Sequence, residues 1–189
     1  DHALTCPCGG DRVKRHNGLR NDTFFALGAA GFCPELEKPG LLPPRPENER
    51  ELSVGSPLPS QRRPADVYVG RFRDGFPAAL DFAATSGMRT DVLEHSARDG
   101  SAAAQLYEGK KRAYLDTAAH CSQEGFSFVP MVVESHGGGW GLEARRVFSK
   151  IAQHKAAASY DDPSTLSDQL AQRLSCLLHR ENARAVLRR

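Results

Sequence analysis

The sequence predicts an α/β protein in which helices flank a mixed sheet. Two strand-like segments, residues 66–69 and 78–85, are joined by the turn signal Arg73-Asp74-Gly75 and predict a hairpin. Residues 126–134 form a largely apolar run, which is typical of a strand buried at the centre of a sheet. Helical patterns precede, separate and follow these strands. The order helix, strand, hairpin, helix, strand, helix indicates an α/β sandwich.

The N-terminal part begins with a predicted helix from Arg15 to Gly31, because apolar residues recur there at helical spacing. Residues 35–37 alternate briefly and predict a short first strand. Residues 39–64 hold seven of the twelve prolines and predict irregular structure. A loop of this length inside a compact domain indicates an insertion or a functional lid.

The C-terminal part is predicted to be mainly helical. Residues 101–122 favour one long helix that ends near Gly125, and a further helix is expected over 142–159. Asp162 and Pro163 are suited to the cap and first position of the last helix. Its apolar stripe is predicted to consist of Leu166, Leu170, Leu174 and Leu177.

Composition indicates a soluble globular chain. The 189 residues are 40% hydrophobic and 25% charged, and no apolar run approaches the roughly 18 residues of a spanning helix, so no membrane partner is expected. Residues 65–140 carry seven basic and ten acidic side chains, whereas residues 141–189 carry nine and five. This distribution suits a metal centre beside a phosphate-facing flank, or a tail that is basic for solubility alone. Because the chain starts at Asp1 within a motif, we expect it to be a fragment.

The cysteines indicate a reducing compartment. There are five of them, an odd number, and three stand far apart along the chain. A disulfide framework would need more cysteines at closer spacing. Cys33, Cys121 and Cys176 are expected to be small buried core residues.

Two acidic residues fall where the hairpin strands should be apolar. Asp66 follows Arg62-Arg63-Pro64-Ala65, and Asp81 lies inside an Ala-Ala-Leu-Asp-Phe-Ala-Ala run. A carboxylate in such a setting needs a partner, because burial of an unpaired charge is costly. Two carboxylates on adjacent strands could share one Mg²⁺. The alternative is that each one faces solvent at a strand end.

The predicted helix over 101–122 carries a second candidate cluster. Tyr107, Lys111 and Tyr114 share one face, at offsets of four and three residues. Lys110 points about 100° away from Lys111, so only one of the two can face a site on the sheet. A lysine beside a metal could orient water or neutralise charge on a phosphate. The alternative is a solvated helix face.

In this order the motifs resemble a known family. The resemblance covers roughly residues 1–150 and rests on Cys6–Asn17, Glu35–Pro39, Arg63–Asp66, Leu80-Asp81, Tyr107–Lys111 and Phe128–Glu134. These segments resemble the C-terminal region of non-LTR retrotransposon polyproteins, where a zinc knuckle precedes a restriction-endonuclease-like nuclease of the PD-(D/E)xK type. The fold that this implies is a restriction-endonuclease-like core over residues 17–150, with a knuckle and junction over 1–16 and a basic helical extension over 151–189.

The resemblance implies roles for individual residues. Asp66 and Asp81 would hold Mg²⁺ or Mn²⁺, Lys111 would be the catalytic lysine, and Glu37 would be an additional acidic ligand. The implied reaction is metal-assisted hydrolysis that nicks target DNA to prime reverse transcription. The sequence departs from the family pattern in three places. Ala65 separates Pro64 from Asp66, no lysine follows Asp81 at the (D/E)-x-K position, and the Pro-rich insertion separates the first strand from the hairpin.

The resemblance also implies ligands and partners. His2, Cys6 and Cys8 would form part of a Zn²⁺ site whose other half lies upstream, and His16 could add a ligand. The implied partners are DNA, retroelement RNA and the reverse-transcriptase portion of the polyprotein, in the nucleus. The residues expected at the DNA are Arg15, His16, Arg62, Arg63, Lys110 and Arg112. A nucleic-acid-binding module without catalysis, or a decayed element, is the alternative function.

Overall fold

The computed structural model of the chain describes residues 10–47 and 61–188. The predicted zinc ligands His2, Cys6 and Cys8 lie outside the described residues, as do residues 48–60 of the predicted insertion.

A mixed four-stranded sheet forms the centre of the molecule. Its strands follow the order β1-β2-β3-β4, in which β1 pairs with β2 and β2 with β3 antiparallel, whereas β3 and β4 are parallel. The strands are β1 (Pro34–Leu36), β2 (Val67–Arg73), β3 (Phe76–Thr85) and β4 (Ser127–Glu134). The predicted hairpin and the α/β class with a mixed sheet are therefore confirmed.

The helices follow the order that the sequence predicts, except that one short helix is added and one predicted helix is divided in two. They are α1 (Asp11–Ala29), α2 (Leu93–Arg98), α3 (Ala102–Ala113), α4 (Thr117–Gln123), α5 (Leu142–Ser159) and α6 (Pro163–Leu187). The short helix α2 was not predicted. The Asp162 side chain accepts a hydrogen bond from the Thr165 N–H at 2.7 Å, which confirms the predicted cap of α6. Within the described ranges, no helix has both the length and the apolar character needed to cross a bilayer.

The prediction of one helix over residues 101–122 is wrong. Helix α3 ends at Ala113, a short 3₁₀ turn covers Tyr114–Asp116, and α4 starts at Thr117. Leu115 and Asp116 adopt left-handed backbone conformations, with φ of 48° and 50°. Side chains other than glycine disfavour this conformation, and the segment contains no proline or glycine at the break, so nothing local signals it.

The prediction that the strand over residues 126–134 lies at the centre of the sheet is also wrong. Among the described strands, β4 lies at the end of the sheet next to β3. It is nevertheless buried from Val129 to Glu134, because α3, α4 and α5 all pack against it. The apolar sequence of β4 is therefore explained by the helices that bury it, and not by a neighbouring strand on each side.

The main core joins the sheet to three helices. Leu19 and Leu27 of α1 and Phe148 of α5 pack in one cluster with apolar residues of β2, β3 and β4. Helix α6 contributes Leu174 and Leu178 to the same cluster. The predicted apolar stripe of α6 therefore differs at its last position. Leu178, four residues after Leu174, is fully buried, whereas the predicted Leu177 is only partly buried.

The expectation that three cysteines are buried holds for one of them. Cys121 is buried against Phe126 and Ala79, whereas Cys33 and Cys176 are exposed. Cys33 follows the end of α1, and Cys176 lies on α6 between the buried Leu174 and Leu178, on the face turned away from the core. Isolated cysteines along a sequence do not by themselves indicate which face of an element they occupy.

Cys121 is expected to resist alkylation while the protein is folded. Burial raises the pKa of its thiol to about 12, so the reactive thiolate is scarce at pH 8. With iodoacetamide at pH 8, peptide mapping by mass spectrometry should show Cys33 and Cys176 modified within minutes and Cys121 modified only in urea. Equal labelling of Cys121 and Cys176 in the folded protein would contradict this packing.

A buried carboxylate caps helix α5. Glu108 of α3 accepts hydrogen bonds from the backbone N–H of Glu143, at 3.1 Å, and of Ala144. Burial raises the pKa of Glu108, since the hydrogen bonds only partly offset the loss of water. A Cβ atom at Gly141 would overlap this carboxylate.

Gly141→Ala is therefore expected to destabilise the protein by roughly 1–3 kcal/mol, because the buried cap has to move. Gly109→Ala is the matched control. It lies inside α3 with no atom within 4 Å of its added Cβ, and should be neutral or stabilising by up to about 1 kcal/mol. Urea unfolding of both variants measures the difference. Equal free energies of unfolding would contradict the role of Glu108 as a tightly packed cap.

Candidate active site

Asp66 and Asp81 meet where strand β3 continues beyond strand β2. The last paired residues of the two strands are Val67 and Leu80, and the Asp66 N–H donates to the Leu80 carbonyl at 2.9 Å. Beyond this last pair, the N–H of Phe82 in β3 donates to the Asp66 side chain, at 2.6 Å from Oδ2. The Asp66 side chain thus takes the place of a strand at this position, which brings its carboxylate beside Asp81.

Lys111 of α3 completes the centre. Its Nζ contacts Asp81 Oδ2, and both side chains are only about one fifth exposed, at 23% and 22%. Burial raises the pKa of Asp81, and repulsion from Asp66 acts in the same direction, while the Lys111 ammonium opposes both. The positive charge of Lys111 thereby offsets part of the cost of burying the Asp81 carboxylate.

The neighbouring lysine faces another carboxylate. Lys110 Nζ lies 3.2 Å from Asp91 Oδ2, and both of these side chains are nearly half exposed. Of the two lysines, Lys111 is therefore the one directed at Asp81. Tyr107 and Tyr114, predicted to share the Lys111 face, line one cavity together with it.

His16 contacts Asp66 from the other side. Its Nε2 lies 3.3 Å from Asp66 Oδ1. The hydrogen bond to Asp66 raises the pKa of His16 above its ordinary value, although burial acts against this. The sequence suggests His16 as a DNA contact or a zinc ligand. Its pairing with Asp66 depends on how α1 packs across the sheet, which no local pattern reveals.

Glu37, predicted as a further acidic ligand, is held elsewhere. Its carboxylate pairs with Arg20 and lies 3.8 Å from Arg63 Nη1. The Glu37 backbone is close to the site, since its N–H donates to the Asp66 carbonyl at 3.0 Å, but the left-handed conformation at this residue directs the side chain to the arginines. Among the described residues, no cluster of three or more His, Cys, Asp or Glu side chains is arranged to hold a metal.

Two cavities meet at Lys111. One, of about 450 Å³, runs from Asp81 along α3 and the 3₁₀ turn, and we call it the α3 cavity. The other, also of about 450 Å³, lies between α1 and the end of β3 and includes His16. Tyr107 and Lys111 line both cavities, whereas Asp81 lines only the α3 cavity.

The predicted DNA contacts divide into two groups. Arg62, Arg63 and Lys110 line the α3 cavity beside Asp81, and His16 lines the second cavity. Arg15 also lines the second cavity, but it is buried and donates to Asn182 Oδ1 at 2.8 Å, and Arg112 pairs with Glu143 at 3.2 Å. Of the predicted contacts, Arg62, Arg63 and Lys110 share a cavity with Asp81.

The donor set suits a hard divalent cation. Asp66 and Asp81 offer carboxylate oxygens at the adjoining ends of the β2–β3 ladder, and the charge of Asp66 contributes to the raised pKa of Asp81. Mg²⁺ commonly takes only one or two protein carboxylates and completes its shell with water and phosphate oxygens, so a third protein ligand is not required. A cation between the two carboxylates would relieve their repulsion.

No protein-family model matches this chain, and no curated protein sequence matches it.

Proposed function

We propose that the protein is a metal-dependent DNA endonuclease that hydrolyses a phosphodiester bond. The observation that carries the proposal is the contact of Lys111 with Asp81, beside Asp66, at the base of a cavity lined by Arg62, Arg63 and Lys110. A carboxylate pair, a lysine and a cationic surround are the groups that phosphodiester hydrolysis needs. Asp81, whose pKa is raised by burial, lines this cavity together with Lys111, and a perturbed carboxylate in a cavity favours a functional site over a structural ion pair.

The arrangement of the sheet supports a restriction-endonuclease-like core. A hairpin carries the two acidic residues, a helix carries the lysine, and a parallel strand follows. This agrees with the resemblance to PD-(D/E)xK nucleases of non-LTR retrotransposons, with the lysine displaced from the strand to the helix. In that setting the nick would provide the primer for reverse transcription by the same polyprotein.

Each side chain has a distinct role in the proposed reaction. Asp66 and Asp81 would hold the cation, which when bound supplies Lewis-acid stabilisation and a more acidic water. Lys111 would stabilise negative charge that develops on the scissile phosphate, since its ammonium group is already at the carboxylate centre. His16 orients Asp66 by holding one carboxylate oxygen while the Phe82 amide holds the other.

Nicking of supercoiled plasmid tests the proposal. The purified protein should convert supercoiled plasmid to open circles with Mg²⁺ or Mn²⁺, and EDTA should abolish the conversion. Ca²⁺ should support binding without cleavage, because it coordinates oxygen ligands with looser geometry than Mg²⁺. If the protein retards DNA in a gel but never nicks it under any of these conditions, a nucleic-acid-binding module is the correct function.

A further inference from the structure

The α3 cavity beside the carboxylates has an aromatic wall. Tyr107, Tyr114 and Phe128 all line it, as do Arg62 and His120. We propose that this cavity binds one unpaired nucleobase of the DNA next to the phosphate that is cut. This inference rests on the proposed endonuclease function and specifies its substrate: DNA with a base outside the double-helical stack.

Aromatic rings next to cationic groups suit a nucleobase. Every base has a π-face, so stacking on Tyr or Phe is favourable for any of the four bases. The edges of a base carry donors and acceptors, which the polar residues of the lining can meet. Among them, Arg62 Nη1 and His120 Nδ1 lie 3.1 Å apart, and Arg62 is largely buried. Arg63 and Lys110 are exposed, where they can contact flanking phosphates.

The backbone is strained at the rim of this cavity. Leu115 and Asp116 are consecutive left-handed residues, neither of them glycine, and they interrupt the helical path between α3 and α4. Tyr114, Leu115 and Thr117, at this interruption, all line the cavity. Strain of this kind is retained where the resulting geometry is used, so the kink points to a site and not to a simple connection.

The position and size of the cavity select an unpaired base. Asp81 and Lys111 line it, so a base inside would lie near a phosphate bound at this pair. Its volume of about 450 Å³ is within the range of small-molecule sites. A base within a duplex cannot enter, whereas one that is already unpaired enters at little cost in stacking and pairing energy.

The test compares two fluorescent duplexes of the same sequence, one fully paired and one with a single-nucleotide bulge. Binding is measured by anisotropy in EDTA, so that no cleavage is required. The wild-type protein should bind the bulged duplex about tenfold more tightly, as expected for one stacked base. Tyr114→Ala should reduce this ratio towards one, and Tyr114→Phe should keep it.

Controls separate this result from a general loss of structure. Tyr114 is 61% exposed, so its replacement should leave the thermal melting curve unchanged. Tyr160, which is 99% exposed and lies beyond α5, is the matched aromatic control, and Tyr160→Ala should keep the tenfold ratio. Equal affinity of the wild-type protein for the two duplexes, or an unchanged ratio in Tyr114→Ala, would overturn the base-binding site.

The outcomes also distinguish this inference from the endonuclease proposal. Mg²⁺-dependent nicking together with equal affinity for both duplexes would support the nuclease and overturn the base-binding site. A tenfold ratio that depends on Tyr114, with no nicking under any condition, would overturn the nuclease and support the base-binding site.

Discussion

Asp81→Asn is expected to reduce Mg²⁺-dependent nicking at least about a hundredfold, the order of effect seen when one charge-stabilising group is removed from an active site. The amide has nearly the shape of the carboxylate but lacks the charge that holds the cation. Cleavage of a labelled duplex under single-turnover conditions, with enzyme in excess, measures the loss independently of product release.

The same substitution should leave the fold intact. Burial raises the pKa of Asp81, which means that the folded protein favours its neutral form relative to the unfolded chain. Above the ordinary pKa the unfolded chain carries Asp81 charged, so folding must either bury this charge or protonate it, and a neutral amide avoids this cost. The free energy of unfolding of Asp81→Asn at pH 7 should therefore equal or exceed that of the wild type.

Asp91→Asn is the matched control for this experiment. Asp91 also pairs with a lysine of α3, at 3.2 Å, but it is nearly half exposed and outside the carboxylate centre. It should keep wild-type nicking. Equal losses in Asp81→Asn and Asp91→Asn, or full activity in Asp81→Asn, would contradict the assignment of Asp81.

Lys111→Met should have the second large effect, because it removes the ammonium group from the carboxylate centre while keeping most of the side-chain volume. We expect a loss of about a hundredfold or more in the rate of single-turnover cleavage. DNA affinity should change little, since Arg62, Arg63 and Lys110 remain. The decrease should thus appear in the cleavage rate at saturating DNA and not in the binding constant.

Lys110→Met provides the comparison at the adjacent position. It removes the same charge from the same helix, but from the pair with Asp91. Its effect should be a modest loss of DNA affinity that becomes smaller at high salt, as expected for a phosphate contact. If Lys110→Met abolished cleavage and Lys111→Met did not, the two lysines would have the opposite roles.

Part of this site could be predicted from the sequence because its signals are local. Asp81 stands in an apolar strand, and the spacing of Tyr107, Lys111 and Tyr114 places them on one helical face. The first pattern indicates a carboxylate that needs a partner. The second indicates a helix face that is not simply exposed to solvent. The partner of Asp81 is then the lysine that helical geometry directs towards the sheet.

Other parts depend on tertiary packing that no local pattern contains. His16 and Asp66 are 50 positions apart and meet only because α1 lies across the end of the hairpin. The kink at Leu115 interrupts a segment whose sequence favours helix, and its two consecutive left-handed residues are not marked by glycine or proline. Glu37 has the charge of a metal ligand, yet its left-handed backbone turns it to Arg20.

The most direct measurement of the central claim is the chemistry of the nick. If the nick provides a primer, metal-assisted hydrolysis must leave a 3′-hydroxyl on the cut strand. DNA polymerase extends such an end with a labelled nucleotide without further treatment. We expect label to enter plasmid nicked by the wild-type protein with Mg²⁺, and to be absent after treatment with Asp81→Asn or Lys111→Met. Nicks that form in EDTA, persist in both variants or cannot be extended would contradict the account.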